Sequence, residues 1–379
     1  MNILTSTIYN SISELKNFPF EGLNTANNTY FTKDFLYAFE NSNPEIDFKY
    51  IAVFTEEKSV ALALIQTIEV SIEVILKNTK MPSFLRRILY SLFCKDHLKI
   101  MFCGNIFLSG EHGILIKDSQ NKVEAINRIC KEINAIAKQT KPLHAIFIKD
   151  FIEASRPYTD HFKQCGFTPM HVEPNMIISL KKEWNNFDNY KQNLKSKYRV
   201  KVNKADNTSA DLEARLLSYE DLEYYKNDLQ KLYENTIANA DFNAQVLNLN
   251  TYIKLKSAYK ENFIVKAYFL KDKIVGFLSA LANNQHLDAH FIGLDYSLNK
   301  EYAIYPRILN DYVRLGIEKK STYINLGRTA SEIKTTIGAE PVNLTCYLKH
   351  KRPWVNRLIR PFVKRVQLKD FKQHVPFKE

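Results

Sequence analysis

Two hydrophobic periods alternate along this chain and predict a mixed α/β protein. Short runs rich in β-branched and aromatic residues predict strands, for example at 48–54 and 263–270. Apolar residues spaced three and four apart predict helices, for example at 123–139, 246–259 and 303–319. Both halves are predicted to run helix, hairpin, strand, helix, strand, helix and strand. This order predicts an α/β layered domain in each half.

A change in composition separates the two halves. Residues 183–210 are polar and basic, and their leucine, tyrosine and valine recur every four residues, which predicts a connecting helix. We therefore expect an N-terminal domain at 1–182, with a basic amphipathic insertion at 77–101. A C-terminal domain is expected at 211–350, and a basic amphipathic tail at 351–379.

The composition excludes several classes of protein. The chain has 379 residues, of which 45% are hydrophobic and 25% charged, close to the average for a globular protein. No run of about 18 apolar residues occurs, so no transmembrane helix is expected. The first residues lack the basic and apolar regions of a signal peptide, so no signal peptide is expected either. The five cysteines form no C-x-x-C pair, which predicts buried thiols in a reducing compartment. We expect a cytoplasmic protein.

Positive charge is concentrated in three segments. The net charge is +12, but residues 191–204 contain six Lys/Arg and no acid, and residues 349–379 contain ten Lys/Arg and two acids. Residues 77–101 contain six Lys/Arg and one acid, so the rest of the chain is net acidic. Such clustering indicates an anionic partner: phospholipid, nucleic acid or a phosphorylated substrate.

Two of these segments are also amphipathic. Apolar residues recur at helical spacing over 81–93 and again over 354–366, where arginines flank the apolar stripe and Pro361 is expected to kink the helix. A basic helix with an aromatic and leucine face is typical of docking at the inner face of a membrane. Packing against a protein core is the alternative that the pattern leaves open.

Two stretches of the second half carry candidate chemistry. The sequence has no metal triad, P-loop or Rossmann fingerprint, so we expect no metal. In a strand, His286, Asp288 and His290 share one face and could line a substrate cleft or supply a general base. Further on, a strand ends at Gly-Arg and a helix follows, with Thr329 and Glu332 at capping-box spacing. Arg328 beside this helix start predicts a site for phosphate or carboxylate.

Several of these runs resemble a known superfamily. They are Phe291–Tyr296, Tyr305–Leu309, Asn325–Thr329 and Lys334, preceded by the basic segment 194–201. Together they are similar to the GNAT superfamily of N-acyltransferases, in particular its FemAB-like branch, whose members carry two GNAT-type domains in tandem. The chain departs from the superfamily at residues 297–303, where the Arg/Gln-x-x-Gly-x-Gly pyrophosphate loop is missing.

The resemblance implies two tandem GNAT-like domains, each a mixed, mostly antiparallel sheet flanked by helices. It implies transfer of an acyl or aminoacyl group from an activated donor, such as acyl-CoA, to an amine on a small molecule or a cell-envelope or lipid-linked precursor. The candidate catalytic residues are Asp288, His290, Asp295 and Tyr305. The candidate substrate-binding residues are Arg307, Asn325, Arg328, Thr329, Glu332 and Lys334.

A different class of function stays open on the same residues. Without the pyrophosphate loop, the chain could be a catalytically inactive GNAT-like module. Its basic segments would then bind an anionic membrane surface or, as a weaker alternative, RNA.

Overall fold

The computed structural model gives the fold of most of the chain. The residues that it describes are 4–23, 28–56, 58–71, 97–117, 121–239, 245–364, 368 and 370–378. The predicted amphipathic helix at 81–93 lies outside them. The described residues fall into two compact units, which the following paragraphs take one at a time.

Strands and α-helices alternate along the chain as the pattern predicts. The strands are β1 (Leu4–Tyr9), β2 (Asp47–Thr55), β3 (Lys58–Ser71), β4 (His97–Cys103), β5 (Ile114–Ile116), β6 (Ala145–Ile152), β7 (Thr168–Ser179), β8 (Glu213–Leu216), β9 (Phe263–Leu270), β10 (Lys273–Asn283), β11 (His286–Leu294), β12 (Tyr323–Asn325) and β13 (Glu340–His350). The helices are α1 (Lys33–Ser42), α2 (Lys122–Gln139), α3 (Arg156–Thr159), α4 (Phe187–Asn193), α5 (Ser196–Thr208), α6 (Tyr219–Ala238), α7 (Asn250–Tyr259), α8 (Tyr296–Tyr302), α9 (Ile304–Glu318), α10 (Ser331–Thr335) and α11 (Pro353–Lys364).

The first unit comprises Met1–Val172, Ala240–Leu247 and Asn343–Leu368. Its strands follow the order β1-β2-β3-β4-β6-β13, and β5 pairs with β3. The strand pairs of this unit are antiparallel, apart from the parallel pair of β4 and β6. The apolar face of α2 packs on this sheet, with Ile126, Ile129 and Ile133 fully buried.

The second unit comprises Glu173–Asn239, Asn248–Val342 and Lys369–Glu379. Its strands follow the order β7-β12-β11-β10-β9-β8. They are antiparallel, apart from the parallel pair of β11 and β12. Helix α9 has a continuous buried face that packs into the core formed with this sheet. Each unit is therefore a mixed, mostly antiparallel sheet flanked by helices, which confirms the predicted fold class.

The bounds of the units differ from the expected domains, since the chain returns to the first unit twice after leaving it. Residues 183–210 lie wholly in the second unit, and they form α4 and α5 rather than one helix. The break between these helices has a tertiary cause. Leu194 forms a β-bridge with Phe377, and the N–H of Lys195 donates to the carbonyl of Pro376 at 2.8 Å. The end of the chain thus interrupts a helix that its local pattern predicts as continuous.

The sulfur atoms of Cys130 and Cys165 lie next to each other although 35 positions of sequence separate them, whereas Cys103 and Cys346 are buried thiols. Spacing could not reveal this pair because the two residues meet only when α2 packs beside the segment Asp160–Cys165.

Among the described helices, none is long and apolar enough to cross a bilayer.

Candidate functional site

The second sheet opens where its two parallel strands separate. β11 and β12 pair over three positions: His286 with Tyr323, Leu287 with Ile324, and Asp288 with Asn325. Beyond this point β12 ends and the chain continues alongside β7, with the N–H of Leu326 donating to the carbonyl of Met176 at 2.8 Å. β11 continues to Leu294 along β10 on its other side. A crevice at the carboxyl ends of parallel strands is a common place for a ligand in an α/β sheet.

Three polar side chains meet where the strands part. Asp288 is 4% exposed, and its Oδ1 accepts a hydrogen bond from Nδ2 of Asn325 at 3.2 Å. Its Oδ2 lies 3.2 Å from Nε2 of His286, whose ring stacks on Tyr323. Oδ1 of Asn325 accepts from the N–H of Gly327 at 3.0 Å. The structure thus brings Asp288 and Asn325 together, and His286, which the sequence places on the same strand face, is the partner of the carboxylate.

A β-bulge follows on β11, just past this point. Ala280 of β10 pairs with Ala289, but Leu278 pairs with Ile292, so His290 and Phe291 together oppose Ser279. The hydroxyl of Ser279 donates to the carbonyl of Phe291 at 2.7 Å and lies 2.7 Å from the hydroxyl of Tyr252. Bulges redirect backbone groups and side chains and are frequent beside active sites. Alternation alone did not predict this bulge, because it depends on the register between strands.

The segment after β12 is a tight loop held by Lys334. Gly327, Thr329 and Ala330 have φ values of 67°, 63° and 48°, in the left-handed region that a β-branched residue rarely adopts. Nζ of Lys334 donates to the carbonyls of Leu326 at 2.8 Å, Arg328 at 2.6 Å and Gly327 at 3.3 Å. Burial lowers the pKa of the Lys334 ammonium to about 7, against a smaller opposing effect of Glu173. Lys334 therefore shapes the loop that presents the half-buried Arg328.

The predicted capping box at this helix is wrong. α10 begins at Ser331 after the N-cap Ala330, and no side chain caps it. Thr329 lies in the left-handed region one residue before the cap, so its hydroxyl is not in the capping position. Glu332 is exposed, and its Oε1 lies 3.7 Å from Nε2 of His374.

The remaining candidates lie at other positions of the second unit. Asp295 caps α8: its Oδ1 accepts from the N–H and the hydroxyl of Ser297, and the hydroxyl bond lowers the pKa of the carboxyl. His290 is half-buried, with its ring 6.0 Å from the ring of Phe263. Tyr305 is half-buried at the start of α9, and burial raises the pKa of its hydroxyl.

Arg307 belongs to a separate ionic network. Its Nε lies 3.2 Å from Oδ1 of the fully buried Asp311, which also pairs with Lys266 at 3.1 Å and with Arg314. Burial by itself would raise the pKa of Asp311, but these three cations hold it below its ordinary value. Arg314 connects the network to Asp206 on α5. The contacts of Arg307 therefore indicate packing of α9 against α5.

A cavity of about 310 Å³ lies among α5, α8, α9 and α10. Its apolar wall includes Ala205 and Leu309. Three exposed lysines also line it: Lys201, Lys204 and Lys300. Among the described residues that line this cavity, none is acidic. The basic segment 191–204 signalled two of these lysines in the sequence, but their position beside Lys300 required the structure.

The described residues contain no group of three His, Cys, Asp or Glu side chains that could hold a metal ion.

Sheet order, parting strands and flanking helices define the tandem GNAT fold, and solved structures agree. A tandem GNAT protein from the clavulanic acid biosynthesis pathway superposes with a TM-score of 0.54 at 6% identity, covering 92% of this chain and 98% of its own. FemX gives a TM-score of 0.52 at 13% identity, covering 86% and 93%. L-PGS from Bacillus licheniformis gives 0.51 at 11% identity, covering 91% and 97%.

These similarities establish the fold that the sequence resemblance implied. At the level of sequence, no protein-family model and no curated protein matches the chain.

Proposed function

We propose that this protein is an N-acyltransferase, which moves an acyl or aminoacyl group from an activated donor such as acyl-CoA to an amine. The observation that carries the proposal is the separation of β11 from β12 after three paired residues, in a unit that also holds a lysine-lined cavity. Acyl transfer needs a hydrogen-bond donor for the oxyanion of the tetrahedral intermediate. A bulged strand that leaves its parallel neighbour can turn a backbone N–H toward the reacting carbonyl.

The cavity supports a donor that carries phosphate. Its volume of about 310 Å³ is at the lower end of the range typical for small-molecule sites. Lys201, Lys204 and Lys300 supply positive charge beside apolar wall residues, a combination that suits a phosphorylated carrier with an apolar arm. In this chain lysine side chains would replace the glycine-rich loop, whose backbone N–H groups bind pyrophosphate in the superfamily.

Asp288 is the group best placed to accept the proton of the amine. An attacking amine must be neutral, so the site needs a base near the parting strands. The Asp288 carboxylate lies there, and Asn325 and His286 fix its orientation. As the C–N bond forms, Asp288 accepts the proton of the amine nitrogen. The C–S or C–O bond to the carrier then breaks with its electron pair on the carrier, which takes this proton from Asp288 and departs as the thiol or hydroxyl. The acceptor is proposed to be an amine on a small molecule or on a cell-envelope or lipid-linked precursor.

A transfer assay with a panel of acyl-CoA and aminoacyl donors tests the proposal. We expect Asp288→Asn to lower kcat by about a hundredfold, the usual contribution of a positioned base. Asp272→Asn, at an exposed turn position, is the matched control and should keep full activity. Arg328→Ala and His290→Ala test two further candidate site residues in the same assay. An unchanged rate in Asp288→Asn would contradict the assigned base.

The same panel separates the proposal from a catalytically inactive module. A donor that binds the folded state raises the Tm, so thermal shifts detect binding without turnover. If no donor shifts the Tm and the protein binds RNA in a salt-sensitive way, the inactive module is the better description.

A further inference from the structure

Helix α11 of the first unit has an exposed apolar stripe. Trp354, Leu358 and Phe362 are 56%, 61% and 66% exposed, and their spacing of four residues places them along one side of the helix. Large side chains rarely stay so exposed in a row on a soluble surface unless they meet a partner. The sequence left open whether this stripe packs into the core, and the structure shows that it faces outward.

The adjacent side of α11 holds the helix in place. Val355 is 7% exposed, and the amide of Asn356 donates from Nδ2 to the carbonyl of Gly166 at 2.9 Å. Oδ1 of Asn356 accepts from the N–H of His350 at 3.0 Å. Because these contacts fix the rotation of the helix on its unit, the outward direction of the stripe is a property of the fold.

The charged residues of α11 itself and of the residues just before it have a single sign. Arg352, Arg357 and Arg360 are exposed on the helix or just before it, and residues 349–364 contain no acidic residue. On a helical wheel of about 100° per residue, Arg357 lies about 100° and Arg360 about 160° from the centre of the stripe, so both arginines point away from its apolar side chains. This distribution matches a helix that lies flat in a membrane interface, with its apolar face among acyl chains and its arginines at the level of the phosphates.

We propose that α11 docks this protein on a membrane surface that contains anionic lipids. The stripe of Trp354, Leu358 and Phe362 inserts at the boundary of the acyl chains, and the arginines contact lipid phosphates. The occupant is a bilayer because an aromatic and leucine stripe combined with one-sided basic charge suits a flat anionic interface. The proposal stands without the transfer reaction, since it concerns a surface on the other compact unit.

Vesicle binding by the full-length protein tests the proposal. We expect co-sedimentation with phosphatidylcholine vesicles that contain phosphatidylglycerol, and much less with phosphatidylcholine alone. The emission of Trp354 should shift to shorter wavelength on binding, whereas Trp184, 4% exposed, should not respond. Loss of the shift in Trp354→Ala, with its remaining Trp184, would assign the signal.

Two pairs of variants separate the apolar and the charged contributions. Leu358→Asp should reduce binding at least about tenfold, whereas Leu216→Asp, equally exposed at 60%, should not. Arg357→Glu with Arg360→Glu should reduce binding to anionic vesicles at least about tenfold. Lys131→Glu with Lys138→Glu, on exposed positions of α2, is the matched control.

Circular dichroism of each variant checks that the fold is kept. Equal binding by Leu358→Asp and the parent protein, or equal binding to both kinds of vesicle, would overturn the proposal. Absence of vesicle binding by the parent protein would overturn it too.

Discussion

Replacing Lys334 by methionine tests how the loop Gly327–Ala330 is held. The substitution keeps an unbranched side chain one atom shorter and removes the ammonium that donates to three carbonyls. Each lost hydrogen bond to a charged donor costs about 1.5–3 kcal/mol, but the charge itself is costly because the side chain is only 5% exposed. The loss of the hydrogen bonds lowers the free energy of unfolding, whereas the loss of the buried charge raises it. Measuring the free energy of unfolding at two pH values separates the two effects.

The sign of the pH effect follows from the lowered pKa. The pKa of Lys334 is about 7 in the folded protein and 10.5 for an ordinary lysine. Between these values the unfolded chain binds a proton that the folded chain lacks, so the free energy of unfolding rises with pH. At about 1.36 kcal/mol per pH unit, Lys334 should add about 2.7 kcal/mol of stability between pH 6 and pH 9.

Urea unfolding of the parent protein and of Lys334→Met at pH 6 and pH 9 measures this difference. The parent protein should gain about 2.7 kcal/mol relative to the variant over that range. Lys231→Met, on an exposed position of α6, should show no such change. The reasoning would be refuted if the difference in free energy of unfolding between the parent protein and Lys334→Met were the same at both pH values. The three carbonyls would then fully offset the effect of burial on the pKa of Lys334.

Three other changes give expectations of comparable size. Asp311→Asn leaves three cations facing a neutral group and should lower the free energy of unfolding by about 3–5 kcal/mol in urea. Gly293→Ala would place its Cβ 2.7 Å from the backbone N of Tyr233, and should cost about 1–3 kcal/mol by thermal unfolding. Lys204→Glu with Lys300→Glu should raise the KM for acyl-CoA at least about tenfold with little change in kcat, and unchanged donor binding would contradict the assigned cavity.

The spacing of apolar residues located those helices and strands that have a regular apolar face. The helix predicted at 123–139 begins one residue after the start of α2, and the helix predicted at 303–319 extends one residue beyond α9 at each end. The predictions are this close because each helix has a continuous apolar face. The predicted hairpin starting at 263 is confirmed as β9 and β10. By contrast, the helix predicted at 246–259 begins at Asn250.

The sequence predicted several residues of the site but not the contacts that these residues make. The sequence singled out Asp288, Asn325 and Lys334, but the bonds of Lys334 to loop carbonyls depend on positive φ values that a residue pattern does not encode. The bulge opposite Ser279 depends on the register between β10 and β11. The register between two strands is set by packing across them, so the pattern of residues along one strand does not predict it.

The sequence by itself determined the alternation of helices and strands, the basic segments and the amphipathic stripe of α11, since each is a local property of neighbouring residues. Only the tertiary structure decided that β11 leaves β12 after Asp288, that three lysines line one cavity, and that Trp354 faces outward. These features arise from contacts between residues far apart in the chain, whose free energies depend on packing and burial.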